Sequence, residues 1–184
     1  YQITVGDNEQ RLLSQLKESF KRSDLVILTG GLGPTEDDIT KEVCAKYFDM
    51  EMEFHEQSWD KIIEIHNKMN RKPTENNRKQ AYFPKGSLIL PNKYGTAPGC
   101  IMEKDKKTII VMPGPPKEMK PMFDNYVKPF LLKDNKNILK SKVLRIIGMG
   151  ESKIENDLLD LIDKQINPTI ATYAKDGECT VRIT

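Results

Sequence analysis

Apolar residues follow two periods along the chain, and these periods predict alternating strands and helices. Spacings of three and four predict helices with one buried face at about residues 8–20, 36–48, 56–69, 119–130 and 152–162. Short apolar runs and alternating positions predict strands at residues 1–5, 25–28, 87–90, 100–103, 108–112, 143–147, 169–174 and 178–183. Strands and helices alternate up to residue 48, which favours parallel strands joined by right-handed crossovers.

A glycine-rich loop follows the apolar run at residues 25–28. That run is typical of a buried parallel strand, and the loop reads Thr-Gly-Gly-Leu-Gly-Pro-Thr-Glu-Asp-Asp at residues 29–38. Glycine permits positive φ and lets a ligand come close to the backbone. Gly30, Gly31 and Gly33 therefore favour an anion-binding loop between a strand and a helix N-terminus.

The acidic residues behind the glycines have two interpretations. Thr35 is predicted to cap the following helix, with Asp38 at capping-box spacing, and Asp37 and Asp38 then only complement the helix dipole. In the second interpretation they hold a metal beside a bound polyanion. The loop lacks the Gly-Lys-Ser/Thr of a Walker A sequence, and Glu36 replaces the last glycine of a dinucleotide fingerprint. By itself the pattern indicates a polyanion site without naming the ligand.

Two further loops rich in glycine and proline follow strand patterns, at residues 92–99 and 113–118. Ligands of open α/β sheets bind outside the carboxyl ends of the strands, so we expect these loops to meet residues 29–38 there. The basic, proline-punctuated stretch at residues 71–86 is predicted to be loop or short helix. Its Arg and Lys side chains are either a solvated surface or clamps for phosphate.

Composition narrows the function classes. The chain has 184 residues, 38% hydrophobic and 30% charged, as in an ordinary globular protein. Its 29 Lys and Arg nearly balance 27 Asp and Glu, and the net charge of +2 gives no indication of a nucleic-acid or membrane partner. Three cysteines far apart in sequence argue against a disulfide framework or zinc site and favour a reducing cytoplasm. No apolar run approaches the length of a membrane span.

The pattern divides the chain into two parts. Residues 1–140 are predicted to form the main α/β domain, and residues 141–184 a small α+β lobe of β-α-β-β type whose edge continues beyond Thr184. The chain starts directly on a strand pattern at Tyr1, so we expect N-terminal residues to be missing.

Four motifs in order resemble the signature of the CinA (competence/damage-inducible) family, in its molybdopterin-binding-like N-terminal domain. They lie at residues 29–40, 76–81, 95–99 and 112–119, and residues 148–169 are similar to the small domain that follows in the family. Family members begin with a strand and a glycine-rich loop, and end in a nicotinamide-nucleotide amidase domain. We expect this chain to lack that first strand and its helix as well as the amidase activity.

The resemblance implies a three-layer molybdopterin-binding-like α/β domain with a mostly parallel sheet. It also implies divalent-metal-dependent hydrolysis of a nucleoside diphosphate sugar, as in an ADP-ribose pyrophosphatase, with Mg, Mn or Co as the metal. In the related molybdenum-cofactor domains the Asp after the glycine loop lies in the ligand or metal site, and Asp38 matches it by spacing. The family tendency implies a cytoplasmic homodimer acting on a small nucleotide-like substrate.

On this interpretation Asp38, Lys79 and Glu118 are assigned to catalysis, and Asp37 and Asp38 to the metal. The substrate-binding residues all lie in the glycine-rich loops: Gly30, Gly31, Gly33, Thr35, Gly95, Thr96, Gly99 and Gly114. Backbone N–H groups of the first loop are expected to bind one phosphate and Lys79 the other. Glu118 is also interpreted as a helix-start residue, and the base that activates water is not identified.

Two other functions stay open. A module that binds a nucleotide or molybdopterin-type ligand without altering it, with a regulatory role, has the same fold and loops. Tight binding without metal-dependent turnover distinguishes this module from the hydrolase. A purely structural interaction domain leaves the three glycine- and proline-rich loops unexplained.

Overall fold

The computed structural model describes residues 1–133 and 139–184. The chain divides into two compact units, Tyr1–Lys133 and Asp134–Thr184. Each unit has its own sheet and its own apolar core. Within the described residues no helix is both long and apolar enough to cross a membrane.

The first unit contains a four-stranded sheet, a two-stranded sheet and helices on both faces of the larger sheet. Its helices are α1 (Glu9–Ser19), α2 (Thr40–Phe48), α3 (Glu56–Lys68), α4 (Pro116–Met122) and α5 (Lys128–Leu132), with a 3-10 helix at Glu75–Ala81 and a π-helical turn at Phe123–Val127. Its strands are β1 (Leu25–Thr29), β2 (Met52–Phe54), β3 (Tyr82–Pro84), β4 (Leu88–Leu90), β5 (Gly99–Lys104) and β6 (Lys107–Met112).

The larger sheet has the strand order β1-β6-β5-β4 and is mixed. β1 runs parallel to β6, with Leu25 paired with Thr108 and Thr29 paired with Met112. β5 runs antiparallel to both β6 and β4. Because β1 and β6 are parallel, their carboxyl ends at Thr29 and Met112 lie side by side. The loops that leave these two strands therefore start at the same place.

β6 supplies the centre of the core, and its side chains alternate between two layers. Ile109 and Val111 pack with apolar residues of α1 and α2, whereas Ile110 and Met112 pack with apolar residues of α4 and α5. All four side chains are at most 2% exposed. This period of two places helices on both faces of the sheet, which is the three-layer arrangement that the family resemblance implies.

α1 and α3 begin where the sequence predicts, but α2 does not. Asn8 caps α1 and accepts a hydrogen bond from the backbone N–H three residues later at 3.0 Å. α2 begins at Thr40, because residues 35–38 form a separate turn before it. The helix predicted over residues 36–48 is therefore wrong in its first turn, and Thr35 is not its N-cap.

The predicted first strand is not formed. Residues 1–6 have no regular secondary structure, and they and β1 line a cavity of about 570 Å³. A strand needs a ladder of backbone hydrogen bonds, and β1 pairs with β6 alone among the described strands. Ile27 of β1 is 41% exposed, so β1 is not the fully buried strand that its apolar run predicts.

The sequence pattern also missed the small sheet formed by β2 and β3. The two strands are antiparallel, with Met52 paired with Pro84, and each is three residues long. A strand this short contains too few positions to show a period, and β3 lies inside the polar stretch predicted as loop or short helix. The 3-10 helix leads directly into β3, and this small sheet therefore fixes where the 3-10 helix ends.

The second unit is the small β-α-β-β arrangement that the sequence predicts. Its elements are β7 (Lys142–Ile147), α6 (Glu151–Asp157), α7 (Leu159–Asp163), β8 (Ile170–Lys175) and β9 (Glu178–Ile183). The antiparallel sheet has the order β7-β9-β8, and Ile154, Cys179 and Val181 form its buried core. α6 begins after its N-cap residue Gly150, one residue before the start that the sequence predicts.

Candidate functional site

The loops after β1 and β6 touch each other at the carboxyl ends of these strands. The backbone N–H of Gly30 donates to the carbonyl oxygen of Met112 at 2.9 Å. A Cβ placed on Gly114 would lie 3.5 Å from the Cα of Gly30. The two loops are therefore neighbours, with space for a methyl group between Gly114 and Gly30, as predicted for loops that meet at this end of the sheet.

Two features of the first loop require glycine: the positive φ values of its backbone and the close contacts that a Cβ would prevent. Gly30 and Gly31 have φ values of +99° and +65°, a region that side chains disfavour. A Cβ on Gly31 would collide with the hydroxyl of Thr40, and a Cβ on Gly33 with the carboxylate of Asp38. These glycines thus allow the loop to fold down onto the start of α2.

Asp38 closes the turn that precedes α2. Its carboxylate accepts hydrogen bonds from the backbone N–H of Thr35 at 3.0 Å and from the Thr35 hydroxyl at 2.5 Å. Partial burial raises the pKa of Asp38, but hydrogen bonds from Thr35 and Gly33 outweigh burial and leave the pKa below its ordinary value. Asp38 is therefore an ionised side chain that holds the loop, and the Thr35 N–H is not free to bind a phosphate.

The acidic pair does not assemble a metal cage from the described residues. Asp37 is exposed, and Asp38 uses one carboxylate oxygen to close its turn. Across residues 1–133 and 139–184 there is no group of three or more His, Cys, Asp or Glu side chains placed to hold a metal ion. Hard divalent ions prefer six or more oxygen ligands, so the described side chains do not fit a metal site made by protein alone. The predicted divalent metal stays a prediction.

Lys79 and Gln80 join the 3-10 helix to the first loop. The Lys79 ammonium donates to the carbonyl oxygen of Thr35 at 3.0 Å. The buried Gln80 amide donates to the carbonyl oxygen of Leu32 at 3.4 Å and to the Thr96 hydroxyl at 3.2 Å. Gln80 thus links the loop at residues 29–38 to the loop at residues 92–99 through a single side chain. The predicted convergence of loops therefore includes residues 92–99, which form the third loop of the site.

A buried lysine fixes the position of this 3-10 helix. Lys41 is 2% exposed, and its ammonium donates to the carbonyl oxygens of Tyr82 at 2.7 Å, Gln80 at 2.9 Å and Lys79 at 3.4 Å. It also lies 4.2 Å from the centre of the Phe83 ring. Burial lowers the pKa of Lys41 to about 8, so the side chain is still mostly charged at neutral pH. Lys41 therefore ties α2 to the backbone that carries Lys79 and Gln80.

Glu118 holds the third loop. Its carboxylate accepts a hydrogen bond from the Asn92 side chain at 2.7 Å, and the same Asn92 amide donates to the carbonyl oxygen of Ala97 at 3.0 Å. A Cβ on Gly95 would collide with the Glu118 carboxylate, and a Cβ on Gly99 with the carbonyl oxygen of Val111. Glu118 lies in the first turn of α4, so its helix-start interpretation is correct and its carboxylate also anchors a loop.

Three backbone N–H groups at this place have no internal partner. Those of Gly31, Leu32 and Gly114 make no hydrogen bond to another group in the described parts of the chain. Backbone donors need a partner, whether protein, water or ligand. Because Gly114 lies next to Gly30, these donors belong to neighbouring backbone segments at the carboxyl ends of β1 and β6.

Sequence reasoning missed the polar residues that hold the site together. Lys41, Gln80 and Asn92 are at most 6% exposed, yet nothing in their local pattern distinguishes them from surface residues. Gln80 lies in the motif at residues 76–81, which only the family resemblance distinguishes from the rest of the polar stretch. Arg78, interpreted as a surface charge or a phosphate clamp, lies 5.0 Å from the Phe54 ring and is ion-paired with Glu75.

The three cysteines are buried and unpaired. Burial raises the pKa of the Cys44 thiol, and it raises the pKa of Cys100 to about 12. A thiol reacts as its thiolate, so these two residues are packing groups at neutral pH.

Comparison with known protein families gives a consistent assignment for both units. A family model described as "Probable molybdopterin binding domain" matches residues 1–133. A second, described as "Damage-inducible protein CinA KH domain", matches residues 141–184. The first unit therefore has the molybdopterin-binding-like α/β fold that the resemblance implies.

Individual relatives agree with this assignment. The "Putative competence-damage inducible protein" of Clostridium tetani (strain Massachusetts / E88) is 57% identical over 184 residues, 100% of this chain and 45% of the relative. A "CinA-like protein" of Dictyoglomus thermophilum is 52% identical with the same coverage. A solved structure of CinA from Thermoplasma acidophilum matches with a TM-score of 0.58 and 32% identity, over 66% of this chain and 71% of that one. The chain spans 45% of the length of these two curated relatives.

These findings correct the predicted activity. The family description refers to molybdopterin binding, and the relatives are named for competence damage or for CinA. Neither refers to an ADP-ribose pyrophosphatase or to another nucleotide hydrolase, and the prediction of metal-dependent hydrolysis of a nucleoside diphosphate sugar is wrong. A glycine-rich loop with two acidic residues indicates an anion near charged groups, and it cannot by itself specify a reaction.

Proposed function

The chain belongs to the CinA family, and from this premise we propose that its first unit binds a molybdopterin-type ligand. Such a ligand is a pterin whose side chain carries a phosphate monoester. The phosphate lies against the loops at residues 29–38 and 113–118, and the loop at residues 92–99 closes the site. The unit is a binding module, with no hydrolytic step assigned to it.

The observation that carries this proposal is the set of free N–H groups at Gly31, Leu32 and Gly114. They belong to two neighbouring loops, and at Gly30 the space that a Cβ would occupy is open. Several N–H groups directed at one point form an anion site that needs no cationic side chain.

Lys79 adds positive charge beside these donors. Its ammonium has three N–H groups, and the structure shows one of them on the carbonyl oxygen of Thr35. The other two are available to a phosphate oxygen next to the loop. Asp38 contributes indirectly, because it holds the turn that sets the direction of the loop.

The experiment compares a pterin bearing a phosphate monoester on its side chain with the same pterin lacking the phosphate. We expect the phosphorylated compound to bind at least about tenfold more tightly, since charge-assisted hydrogen bonds are worth about 1.5–3 kcal/mol. Pterin fluorescence measures both dissociation constants. Equal affinity for the two compounds would show that the loops are not a phosphate site.

A matched pair of variants locates the phosphate. Gly31→Ala adds a methyl group that collides with Thr40, whereas Gly148→Ala adds one at a similar φ of +80° with nothing within 4 Å. We expect Gly31→Ala to remove the preference for the phosphorylated compound and Gly148→Ala to leave it intact. Loss of the preference in both variants, or in neither, would contradict the assignment to the first loop.

A further inference from the structure

A second cavity adjoins the proposed phosphate loops through Lys79. It has a volume of about 340 Å³ and is lined by residues from α2, β2, the 3-10 helix and β3: Glu42, Met52, Glu75, Arg78, Lys79 and Tyr82. This volume falls at the lower end of the range for small-molecule sites. Lys79 lines the cavity and also donates to the carbonyl oxygen of Thr35 in the first loop. A ligand in the cavity is therefore next to the loop.

Glu42 is the unusual member of this lining. One oxygen of its carboxylate is buried and has no hydrogen-bond partner among the described residues. A buried polar atom without a partner costs free energy, and more so when the group is charged. Its two neighbours on α2, Lys41 and Val43, are buried and fix the helix at this point. This oxygen has less than 1 Å² of accessible surface, so a bound N–H donor reaches it only when the side chain turns toward the cavity.

The remaining walls are flat and held in place. Tyr82 is 37% exposed, and its ring contacts the Phe54 ring edge to face, with 5.1 Å between centres. The Arg78 guanidinium lies 5.0 Å from the Phe54 ring and is paired with Glu75. Aromatic and guanidinium planes of this kind favour stacking with a planar ring. Met52 adds an apolar, adaptable surface.

We propose that this cavity binds the heterocycle of the pterin, with Glu42 accepting hydrogen bonds from its aminopyrimidinone edge. The inference rests on the proposed function, because the phosphate of the same ligand lies on the loops beside Lys79. A pterin offers a ring N–H and an adjacent amino group on one edge, and these two donors match the two oxygens of a carboxylate. Stacking on Tyr82 and Arg78 holds the bicyclic ring.

The test uses two unphosphorylated compounds, pterin and lumazine. They have the same ring system, but lumazine carries a carbonyl oxygen where pterin carries the amino group. We expect the full chain to bind pterin at least tenfold more tightly than lumazine, because a site built for a donor rejects an analogue that lacks it. Fluorescence titration measures both affinities without any variant. Equal affinities would overturn the role of Glu42.

Variants then identify the acceptor. Glu42→Gln is expected to lower pterin affinity at least tenfold and to remove most of the preference over lumazine. Glu103→Gln, at an exposed position on β5, is expected to change neither. If Glu42→Gln keeps the parent affinity and preference, the proposal fails.

Titration with inorganic phosphate separates this inference from the proposed function. We expect phosphate to shift the amide resonances of Gly31 and Leu32 equally in the parent chain and in Glu42→Gln. Phosphate binding at the loop without Glu42-dependent pterin binding would overturn the cavity assignment alone. Glu42-dependent pterin binding without any phosphate effect at the loop would overturn the proposed function and keep the cavity.

Discussion

The glycines of the two units differ in what surrounds them. In the first unit a Cβ on Gly31, Gly33, Gly95 or Gly99 would collide with another group. In the second unit Gly148, Gly150 and Gly177 have nothing within 4 Å of such a Cβ. The glycines of the second unit shape turns or cap a helix. In the first unit Gly6, Gly30 and Gly86 also lie in open space, but the four crowded glycines let loops and strands approach closely.

Buried polar groups show the same contrast. In the first unit Lys41, Gln80 and Asn92 are buried and joined to the loops by hydrogen bonds. In the second unit Thr180 is the buried polar residue among those described. Buried polar networks are retained where they hold a particular geometry. Buried side chains of the first unit therefore hold its loops in place, whereas the second unit has an ordinary small core.

The largest effect, a loss of stability in the first unit, is expected for Gly99→Ala. The added methyl group would collide with the backbone carbonyl of Val111, which cannot move without separating β5 from β6. We expect the first unit to lose about 3 kcal/mol of unfolding free energy. The single tryptophan, Trp59, lies on α3, so its fluorescence in urea reports on this unit.

Gly177→Ala is the control for that loss. It places a side chain at φ +75° in open space, at a cost of about 1 kcal/mol confined to the second unit. The Trp59 transition should not move. A Trp59 midpoint that shifts as much for Gly177→Ala as for Gly99→Ala would contradict the contrast between the units.

The second-largest loss of stability is expected for Lys41→Met. This change removes the donor for three backbone carbonyls of the segment that ends in β3. We expect a loss of about 2 kcal/mol in the Trp59 transition, since unsatisfied buried groups cost about 1–3 kcal/mol. Lys17→Met on the exposed face of α1 should change stability by less than about 0.5 kcal/mol. Similar losses in both variants would remove Lys41 from this role.

The pH dependence of the unfolding free energy provides a second test of the role of Lys41. Its pKa is lowered from 10.5 to about 8 by burial, so between these values the folded chain binds fewer protons than the unfolded chain. The Lys41 contribution to unfolding free energy therefore rises with pH across that window, by on the order of 1–3 kcal/mol. The measurement is the difference between the parent and Lys41→Met from pH 7 to 10.5. In that difference the opposite contribution of buried Cys44 cancels, whereas the contribution of Cys100 differs between the two chains, because the Lys41 charge lowers the pKa of the Cys100 thiol. A difference that stays constant or falls would contradict the assignment.

A smaller effect, on ligand affinity, is expected for Gly95→Ala in the third loop. The added methyl group would collide with the Glu118 carboxylate. We expect Gly95→Ala to weaken binding of the phosphorylated pterin by about 1–2 kcal/mol, and Glu118→Ala to restore part of that loss in the double variant. A coupling of about 1 kcal/mol is typical for residues in contact. Gly86→Ala, in open space, serves as the control. Strict additivity of the two changes would show that Glu118 does not position this loop.

The smallest effect is expected for Gly114→Ala. Its methyl group would meet the Cα of Gly30 at 3.5 Å, an ordinary van der Waals contact. Stability should change by less than about 0.5 kcal/mol, while affinity for the phosphorylated pterin falls a few-fold because the methyl group narrows the gap between the loops. Unchanged affinity would place the phosphate away from Gly114.

Much of the fold could be predicted because its signals are local. The amphipathic period of α1 and α3, the apolar alternation of β6 and the hairpin of β8 and β9 all come from residues close in sequence. The start of α2 could not be predicted, because Asp38 bonds to Thr35 and makes its own turn. The strand expected at residues 1–5 failed for a related reason, since a strand depends on a neighbour that its own sequence does not reveal.

The positions of the site's loops could be predicted from the sequence, but the roles of its individual residues could not. The three loops were located by their glycines and prolines, and the parallel pairing of β1 with β6 brings two of them together. Lys41, Gln80 and Glu42 left no local signal, since their roles arise from contacts with residues that are distant in sequence. The expected homodimer and the expected metal stay predictions.

Amide resonances followed during titration with the phosphorylated pterin give the most direct test of the central claim. We predict saturable shifts at Gly31, Leu32 and Gly114, with Gly148 and Gly177 of the second unit unchanged. Shifts that are absent from the first loop, or that concentrate in the second unit, would contradict it.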